Sequence, residues 1–277
     1  MIYSLVVCIK KYIFVSNIVM LTVTNKHIEA LNSFFDYIYV LTIDSAKDRQ
    51  DKIKSELVGL NYSFFYGVNK SDLDTEKLER DNIYSSTKAK DRNRYNKGMK
   101  LGEIACSLGH SNIYEDVIKN GYNRVLILED DVVLNLNGIE KFTSLISELP
   151  NNWDLIYFDY TKHENKDILS YFKIATYHIQ KVIIGLKLSH LMIKNLFPRA
   201  YSDHLKKSGF HYFTSAYAIT GNAAKVLKEL QTPIQFPSDH LLAYAATNEL
   251  INGFISTNKL FNQQSQGELK NTQSTVS

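Results

Sequence analysis

The sequence predicts an α/β fold, a single domain with a mainly parallel, Rossmann-like sheet flanked by helices. Apolar runs of strand composition alternate along the chain with segments whose apolar residues recur at helical spacing. The run from Val125 to Leu128 is apolar at every position, which is typical of a central parallel strand covered on both faces. No Pro- or Gly-rich linker divides the 277 residues, so one domain is the simpler interpretation.

The first predicted unit is a strand, a helix and a second strand. Residues Phe35 to Ile43 are aromatic and β-branched, and Ala46 to Leu57 follow with apolar residues at helical spacing. Residues Tyr62 to Val68 have the composition of a second strand. Together they predict a βαβ unit with a right-handed crossover. The polar segment Asn69 to Lys100 is predicted to be irregular or to contain a short helix.

The elements after Lys100 follow from the same patterns. They are a helix from Glu103 to Asn120 with Gly121 as C-cap, a strand from Val125 to Leu128, a helix from Ile139 to Leu149, strands from Trp153 to Phe158 and from Tyr212 to Ile219, a helix from Asn222 to Leu230, and a helix that Ser238 caps and that ends near Asn248. Residues Thr161 to His211 mix apolar runs with basic residues without a clean period, so the pattern predicts no element there.

Composition narrows the class of protein. With 44% hydrophobic and 22% charged residues, the chain has the balance of a folded protein with a sizeable core. A net charge of +3 is far from the concentrated basic stripe of nucleic-acid-binding proteins, so no nucleic acid is expected as a partner. Cys8 and Cys106 give neither a disulfide framework nor a metal-ligand spacing, which favours a reducing compartment. We expect a cytoplasmic protein, with peripheral contact at the inner membrane face as an alternative.

The two ends of the chain are set apart from the predicted domain, residues 35–261. Residues 1–34 are predicted to be an N-terminal extension, in which Lys10 and Lys11 split two apolar stretches, each too short to span a bilayer. The first 23 residues fit a peripheral membrane anchor, a strand of the fold, or an upstream extension before a start at Met20, and the last interpretation is favoured. Residues 262–277 are mostly Gln, Ser, Thr, Asn and Gly and are predicted to be a disordered tail.

Three consecutive acids follow the central strand directly. Glu129, Asp130 and Asp131 are predicted to lie at its carboxyl end, where open α/β sheets bind ligands. Because side chains alternate along a strand, Glu129 and Asp131 are expected to share one face and Asp130 to take the other. Such a carboxylate pair suits Mn²⁺ or Mg²⁺, with coordination sites left for the oxygens of a diphosphate leaving group. An isolated acidic triplet is equally compatible with a solvated strand end or a cap.

Two motifs around these acids resemble those of glycosyltransferase family 25, which includes lipopolysaccharide and procollagen galactosyltransferases. Residues Leu101 to Ser111 (LGEIACSLGHS) precede the motif VLILEDDV at the spacing that the family shows. Further stretches that resemble the family are Val40 to Arg49, Phe65 to Asn69, and Ala216 to Leu242 with Pro237-Ser238-Asp239. The resemblance covers about Tyr37 to Tyr244.

The resemblance implies a GT-A-like fold, a UDP-sugar donor, most commonly UDP-galactose, and inversion at the anomeric carbon. With Glu129 and Asp131 as metal ligands, it implies that the donor contacts come from Thr42, Arg49, Asn69, Gly102, Glu103, His110 and Asp130. Two positions depart from the family pattern. Gly109 stands where Ser is usual, and Asn69 stands where Asp is usual, which bears on the contacts to the donor base.

Several of these residues also have an ordinary structural interpretation. Arg49 is compatible with an exposed charge on a helix, and Glu103 with compensation of a helix dipole in the first turn. His110 lies in mid-helix, where a histidine is more often a hydrogen-bonded structural residue than a ligand.

An inverting transfer needs a carboxylate that deprotonates the acceptor hydroxyl as it attacks the sugar. Asp239 is the candidate by resemblance, although a residue at a helix N-terminus is explained equally well as a cap. Asp159 is the rival candidate because it follows the strand that begins at Trp153. The sequence does not decide between the two.

The expected acceptor is a glycan or a lipid-linked glycan of lipopolysaccharide or another surface glycan. The segments Asn69 to Lys100 and Thr161 to His211 are the candidates for its recognition, since loops carry specificity on a rigid scaffold. Two other classes of protein fit the acids. One is a metal-dependent phosphoryl-transfer enzyme, although the chain has no Gly-rich phosphate loop with its Lys. The other is a non-catalytic protein that binds sugar nucleotides.

Overall fold

The computed structural model describes residues 25–264. Its strands are β1 (Tyr37–Thr42), β2 (Ser63–Tyr66), β3 (Arg124–Glu129), β4 (Val132–Leu134), β5 (Leu155–Tyr157), β6 (Arg199–Ala200), β7 (Leu205–Lys207), β8 (Ala216–Thr220), β9 (Gly253–Ser256) and β10 (Phe261–Gln263). Its helices are α1 (residues 25–34), α2 (Lys47–Glu56), α3 (Thr75–Arg80), α4 (Ser86–Arg92), α5 (Leu101–Asn120), α6 (Leu136–Ile139), α7 (Phe142–Ser147), α8 (Ile168–Ile184), α9 (His190–Lys194), α10 (Gly221–Leu230) and α11 (Ser238–Thr247), with a 3₁₀ helix at Lys70–Asp72.

Eight strands form one sheet in the order β2-β1-β3-β8-β5-β9-β7-β6. Strand β1 pairs in parallel with β2 and β3, and β5 pairs in parallel with β9. Strand β8 lies antiparallel between β3 and β5, and β7 lies antiparallel between β9 and β6. Six of the eight strands therefore run in one direction, and the predicted α/β fold with a mainly parallel sheet is confirmed.

Each face of the sheet carries its own hydrophobic core. Val40 and Leu126 point into one core, together with buried residues of α1, α2 and α7. Val125 and Ile127 point into the other core, with buried residues of α5, α10 and α11. The run in β3 is apolar at every position because both of its faces are covered.

Most of the predicted elements after Lys100 form close to their expected bounds. Helix α5 ends at Gly121, whose φ of 70° and ψ of 26° place it in the left-handed region that a glycine C-cap adopts. Two expectations were wrong in detail. The helix expected from Ile139 to Leu149 is shorter and corresponds to α7, and a separate short helix, α6, precedes it and is capped by Asn135. Ser238 does not cap α11, because its hydroxyl donates to Oγ of Ser107 at 3.4 Å.

The two segments without a clean pattern contain regular structure. The segment from Asn69 to Lys100 contains the 3₁₀ helix and the helices α3 and α4. The segment from Thr161 to His211 contains α8 and α9 and the two strands at one edge of the sheet, β6 and β7.

The folded unit extends beyond the bounds expected from the sequence, 35 and 261. Helix α1 buries Ile28 and Leu31 in the core that it shares with α7, and β10 pairs with β4 in a separate antiparallel ribbon. The expectations for residues 1–24 and 265–277 lie outside the described residues. Between residues 25 and 264, no helix is both long and apolar enough to cross a membrane.

Candidate functional site

The acidic triplet lies where β3 turns into β4. Strand β3 ends at Glu129, and Asp130 and Asp131 form the turn. Strand β1 is parallel to β3, so its last residue, Thr42, lies at the same edge of the sheet. The chain leaves the strand at Glu129, and each of the three carboxylates has its own partners.

Glu129 is held by two polar side chains. The hydroxyl of Thr214 donates to Oε1, and Nε2 of His110 lies 3.2 Å from the same oxygen. The other ring nitrogen of His110 lies 2.8 Å from the hydroxyl of Tyr217, so this buried histidine is fully partnered. Burial opposes ionisation of Glu129, but these contacts and the charge of Arg49 outweigh it and hold its pKa below the usual value.

Asp130 faces back toward β1 and α2. Its Oδ2 accepts a hydrogen bond of 2.6 Å from the hydroxyl of Thr42, and its Oδ1 lies 2.5 Å from Nη1 of Arg49. Burial raises the pKa of Asp130, although Thr42 and Arg49 act against it. Arg49 is therefore tied to the acidic turn and is not a free charge on the surface of α2.

Asp131 has one oxygen without a partner. Nε2 of Gln263 donates to Oδ2 at 2.9 Å, and the backbone N–H of Gln264 donates to the carbonyl of Asp131 at 2.9 Å. Oδ1 is buried and accepts no hydrogen bond from any described residue. Burial and the charge of Glu129 raise the pKa of Asp131 to about 6. A buried carboxylate oxygen without a donor, next to a second carboxylate, fits a hard divalent cation.

A second group of potential ligands lies beside this turn. Ligand atoms of Cys106, His110 and Glu129 lie within 4.8 Å of one another. Both ring nitrogens of His110 are already occupied by hydrogen-bond contacts, and burial raises the pKa of the Cys106 thiol, which keeps it protonated. Since the thiolate is the form that binds metals, the carboxylates of Glu129 and Asp131 fit an ion better than this group does.

Asp239 lies in the first turn of α11 and is half-buried. Its Oδ1 accepts a hydrogen bond of 2.8 Å from the backbone N–H of His240, and the backbone N–H of Phe213 also donates to the carboxylate. Phe213 has a φ of 79°, a strained conformation for a bulky residue, and it lies three residues before the start of β8. Burial raises the pKa of Asp239, and the charge of nearby Glu129 adds to the effect.

Asp159 follows β5 and is only 1% exposed. The hydroxyl of Ser215 donates to its Oδ2 at 2.7 Å, and Nζ of Lys259 lies 3.7 Å from its Oδ1. Burial raises the pKa of Asp159, while Ser215 and Lys259 oppose the shift. The two candidate bases therefore differ chiefly in their access to solvent.

Two other residues predicted to contact the sugar donor, Asn69 and Glu103, accept hydrogen bonds from residues close to them in the sequence. The side chain of Asn69 accepts from the backbone N–H of Ser71, and Glu103 accepts from the backbone N–H of Lys100 at 2.7 Å. Gly102 is buried in the first turn of α5. Glu103 thus closes the N-terminus of α5 by accepting this N–H.

Three residues of the site were missed in the sequence. Thr214 and Tyr217 lie in the segment predicted as a strand from Tyr212 to Ile219, where neither was singled out, and Gln263 falls in the predicted tail. A polar residue becomes recognisable as a partner only when the fold brings it to the carboxylate, and no local pattern marked these three.

A cavity of about 570 Å³ opens beside α11. Its walls come from the C-terminal part of α4 and the loop after it, from α8 and α9, and from His240 and Tyr244 on α11. The lysines and arginines in its lining are Arg92, Arg94, Lys162, Lys173 and Lys187. Asp91 is the one acidic residue in that lining, and it lies 3.8 Å from Lys187.

Aromatic rings line the same cavity and contact its cations. Nζ of Lys162 lies 4.0 Å from the ring centroid of Tyr212, and the guanidinium carbon of Arg94 lies 5.0 Å from that of Tyr177. The ring of Tyr212 also lies 5.3 Å from that of His240, which follows Asp239 in the chain. The cavity therefore combines positive charge and flat apolar surfaces next to a candidate base.

A mainly parallel sheet with an acidic turn at the carboxyl end of a central strand is consistent with a GT-A-like glycosyltransferase domain. Residues 35–242 match the family described as Glycosyltransferase family 25 (LPS biosynthesis protein). The chain belongs to this family, as its motifs predicted, and membership supports a role as a transferase that uses a nucleotide-sugar donor.

Similar proteins come from animals and from a virus. A "Glycosyltransferase 25 family member" of Anopheles gambiae is 26% identical over 211 residues, which are 74% of this chain and 31% of that protein. "Procollagen galactosyltransferase 2" of Homo sapiens is 25% identical over 138 residues, 48% of this chain and 22% of that protein. "Procollagen lysyl hydroxylase and glycosyltransferase" of Acanthamoeba polyphaga mimivirus is 33% identical over 133 residues, 43% of this chain and 14% of that protein. The chain spans less than a third of the length of these relatives.

Proposed function

We propose that this protein transfers a hexose, galactose from UDP-galactose, to a glycan acceptor with inversion at the anomeric carbon, in the synthesis of lipopolysaccharide or another surface glycan. The observation that carries the proposal is the buried, unpartnered Oδ1 of Asp131 beside Glu129, at the carboxyl end of β3 in a chain of this family. The choice of galactose rests on the motif resemblance and on the names of the procollagen galactosyltransferase relatives.

Glu129 and Asp131 are the residues that would hold Mn²⁺ or Mg²⁺. When bound, the ion supplies positive charge that stabilises the departing diphosphate. His110 and Thr214 orient Glu129, and Gln263 orients Asp131, so the two carboxylates are positioned before a ligand arrives.

Arg49 is also proposed to bind the diphosphate. A guanidinium group has five N–H donors, and the contact with Asp130 uses Nη1. The remaining donors are available to phosphate oxygens, for which the planar guanidinium is well suited. Asp130, held by Thr42, thereby positions a cation at the edge of the sheet where the diphosphate leaves.

Asp239 is the proposed base. Asp239 is half-buried as a residue and is followed by His240, which lines the cavity, whereas Asp159 is 1% exposed and its carboxylate contacts Ser215 and Lys259. An acceptor hydroxyl must reach the base directly or through one water, and the greater exposure of the residue favours Asp239. Burial raises the pKa of Asp239, which brings its basicity closer to that needed for proton abstraction near neutral pH.

The acceptor is proposed to occupy the cavity beside α11. The two segments expected to recognise it both contribute to the walls, the first with Arg92 and Arg94 and the second with Lys162 and Lys173. Aromatic rings bind the apolar faces of sugars, and the excess of cations favours an acceptor that carries phosphate or carboxylate groups.

The first test is calorimetric binding of UDP-galactose, UDP-glucose and UDP-N-acetylglucosamine, with and without Mn²⁺. We expect one UDP-sugar to bind to the wild type only when Mn²⁺ is present. Asp131→Asn should weaken that binding by about tenfold or more, because even substitution of a hydrogen-bond partner of a metal ligand typically lowers metal affinity by about 10–100-fold.

Glu115→Gln is the matched control for this experiment. Glu115 lies on the exposed side of α5 and pairs with Lys228, so its substitution removes one carboxylate without touching the acidic turn. The control should bind as the wild type does. Failure of every nucleotide sugar to bind to folded protein would reject the donor site, and a phosphoryl-transfer or interaction role would then be the better hypothesis.

A further inference from the structure

Helix α8 presents its apolar side to solvent. Positions 168, 172, 175, 179 and 183 recur at helical spacing and form one face. On this face Ile168 is 75% exposed, Phe172 67%, Ile179 57% and Ile183 74%. An amphipathic helix on the surface of a protein normally turns this stripe toward the core. In α8 the stripe points outward, and the neighbouring Leu169, Val182 and Ile184 extend the apolar patch.

The opposite side of α8 is fixed to the protein. Ser170 is buried and exchanges hydrogen bonds with Asp167, which caps the helix. The hydroxyl of Tyr177 accepts from Arg94 at 3.1 Å, and Nζ of Lys181 donates to the carbonyl of Leu188. Rotation about the helix axis to bury the apolar stripe would break the contact with Arg94 and expose Ser170.

The chain segment that carries this patch has an excess of positive charge. Asp167 caps the helix, but from residue 168 to residue 202 the sequence contains no Asp or Glu and has five cations, Lys173, Lys181, Lys187, Lys194 and Arg199. Lys173 and Lys181 lie on the inner side of α8, whereas Lys194 and Arg199 are exposed beyond the helix. An exposed apolar helix face in a segment with excess positive charge is complementary to a surface of anionic lipids. A second copy of this chain would instead bring two positive patches together, which like-charge repulsion disfavours.

We propose that α8 docks on a membrane surface that contains anionic lipids. The helix lies in the plane of the interface, its apolar face enters the boundary between head groups and acyl chains, and exposed cations of the same segment, Lys194 and Arg199, are available to the lipid phosphates. Lys173 and Tyr177 on the inner side of α8 line the cavity beside α11. Docking therefore places the helix that forms one wall of that cavity against the lipid surface. The inference rests on α8 itself and does not require the proposed transfer reaction.

A tryptophan reporter tests the contact directly in the full chain. The sequence has one tryptophan, Trp153, which is 8% exposed and stacks on the ring of Phe34. We expect the emission of Ile183→Trp to shift to the blue with vesicles of phosphatidylcholine and phosphatidylglycerol, and to be quenched by brominated acyl chains. Val58→Trp is the control, because Val58 is 73% exposed after α2, and its emission should not change. Unchanged emission from Ile183→Trp would overturn the proposal.

Co-sedimentation with the same vesicles measures the affinity. The triple variant Phe172→Gln, Ile179→Gln, Ile183→Gln changes only exposed side chains, so it should fold and bind nucleotide sugar as the wild type does. We expect its binding to anionic vesicles to be about tenfold weaker or more. The full chain also contains the apolar residues before Met20, so the comparison with the wild type isolates α8. Equal binding by both proteins would overturn the proposal, as would a wild-type dimer that the triple variant abolishes without any vesicle binding.

Discussion

The carboxylates of Asp239 and Asp159 are both buried enough to have raised pKa values, yet they differ in what they contact. Asp239 accepts hydrogen bonds from backbone N–H groups and precedes His240, which lines the cavity. Asp159 is enclosed by Ser215 and Lys259. The first arrangement leaves a carboxylate free to take a proton from a substrate, and the second is that of a structural ion pair.

We predict that Asp239→Asn lowers kcat by about 10²-fold or more while the Kd for the donor stays within a few-fold of wild type, because general-base catalysis contributes about 10²–10⁴-fold. Asp159→Asn should instead lower the Tm and leave kcat within about tenfold of wild type. Single-turnover rates and donor titrations on both variants check this. The opposite pattern, with kcat lost in Asp159→Asn and kept in Asp239→Asn, would assign the base to Asp159.

His211 is a fully buried histidine whose tautomer follows from its contacts. Its Nε2 accepts the backbone N–H of Gly209 at 2.8 Å, so the proton resides on Nδ1, which donates to the carbonyl of Lys162 at 3.0 Å. Burial lowers its pKa from 6.5 to about 4. A second proton on Nε2 would break the contact with Gly209 and place a charge in the interior.

We predict that this histidine makes the protein less stable in mild acid. Below pH 6.5 the unfolded chain takes up the proton first, so the free energy of unfolding falls as the pH falls from about 6.5 to about 4, by up to about 3 kcal/mol. Urea unfolding across this range measures it. His211→Asn should be less stable at neutral pH but show a smaller loss toward pH 4.

His190→Asn is the control for the acid effect, since His190 is exposed at the start of α9. Its stability should follow the wild-type dependence on pH. Identical pH dependence in the wild type and in His211→Asn would show that His211 is not the group responsible.

Much of the site could be predicted from individual residues. The residues that could not be predicted are those whose role depends on contacts with distant parts of the chain. The acids Glu129 to Asp131 stand out because they follow a fully apolar strand, and a parallel neighbour ending at Thr42 supplies a partner at the same edge. Thr214 and Gln263 could not be predicted, because an ordinary polar residue gains its role from contacts across 85 and 132 residues of chain.

Helix α6 and the loop before β10 approach each other more closely than any side chain would allow. A Cβ atom at Gly138 would lie 1.9 Å from the carbonyl oxygen of Lys259. Asn135 also donates to that carbonyl at 2.8 Å, and Leu260 accepts from the backbone of Asn135 through its own carbonyl. This contact positions the segment that leads into β10, and β10 carries Gln263 to Asp131.

We predict that Gly138→Ala destabilises the protein by about 3 kcal/mol, since backbone must move to admit the methyl group. Equilibrium unfolding in urea measures the change. The variant should also bind nucleotide sugar more weakly when folded, because the ribbon that carries Gln263 moves with Lys259.

Gly98→Ala is the matched control. A Cβ at Gly98 would meet the hydroxyl of Tyr84 at 3.5 Å, an ordinary contact, so its stability should stay within about 0.5 kcal/mol of wild type. A loss at Gly138 no larger than at Gly98 would contradict the tight contact.

The elements that sequence patterns predicted are those whose apolar residues face the core. Helices α2, α5 and α10 and strands β1, β3 and β8 belong to this group. Helix α8 was not predicted, because its regular apolar stripe merges in the sequence with the apolar run at Val182. The stripe also faces solvent, so the usual correspondence between apolar and buried residues does not hold there. Strands as short as β6 and β7 exist only through their neighbours, and a few residues of sequence cannot specify them.

Stability is unevenly distributed over the molecule as a whole. The central strands have both faces covered by helices, and α5 buries ten residues along its 20-residue length. Helix α8 has 17 residues, of which Ser170 is the one that is buried. Local opening of α8 therefore exposes little new apolar surface and costs little free energy.

We predict that hydrogen exchange in solution without vesicles separates these regions. The slowest amides should lie in β1, β3 and β8, and the amides of α8 should exchange much faster than those of α5. Mass spectrometry of peptic fragments measures both helices in one experiment. Equal protection of α8 and α5 would show that something other than local packing stabilises α8.

The partnership between Gln263 and Asp131 has a consequence for how the protein is made. A ribosome synthesises the chain from the N-terminus, so the acidic turn after β3 emerges 132 residues before the glutamine that holds it. Until β10 has emerged and paired with β4, the side chain of Asp131 lacks the hydrogen bond from Gln263 and is not covered by β10. A nascent chain that has already built most of its sheet still has an unfinished acidic turn, and the site is completed only after β10 has emerged.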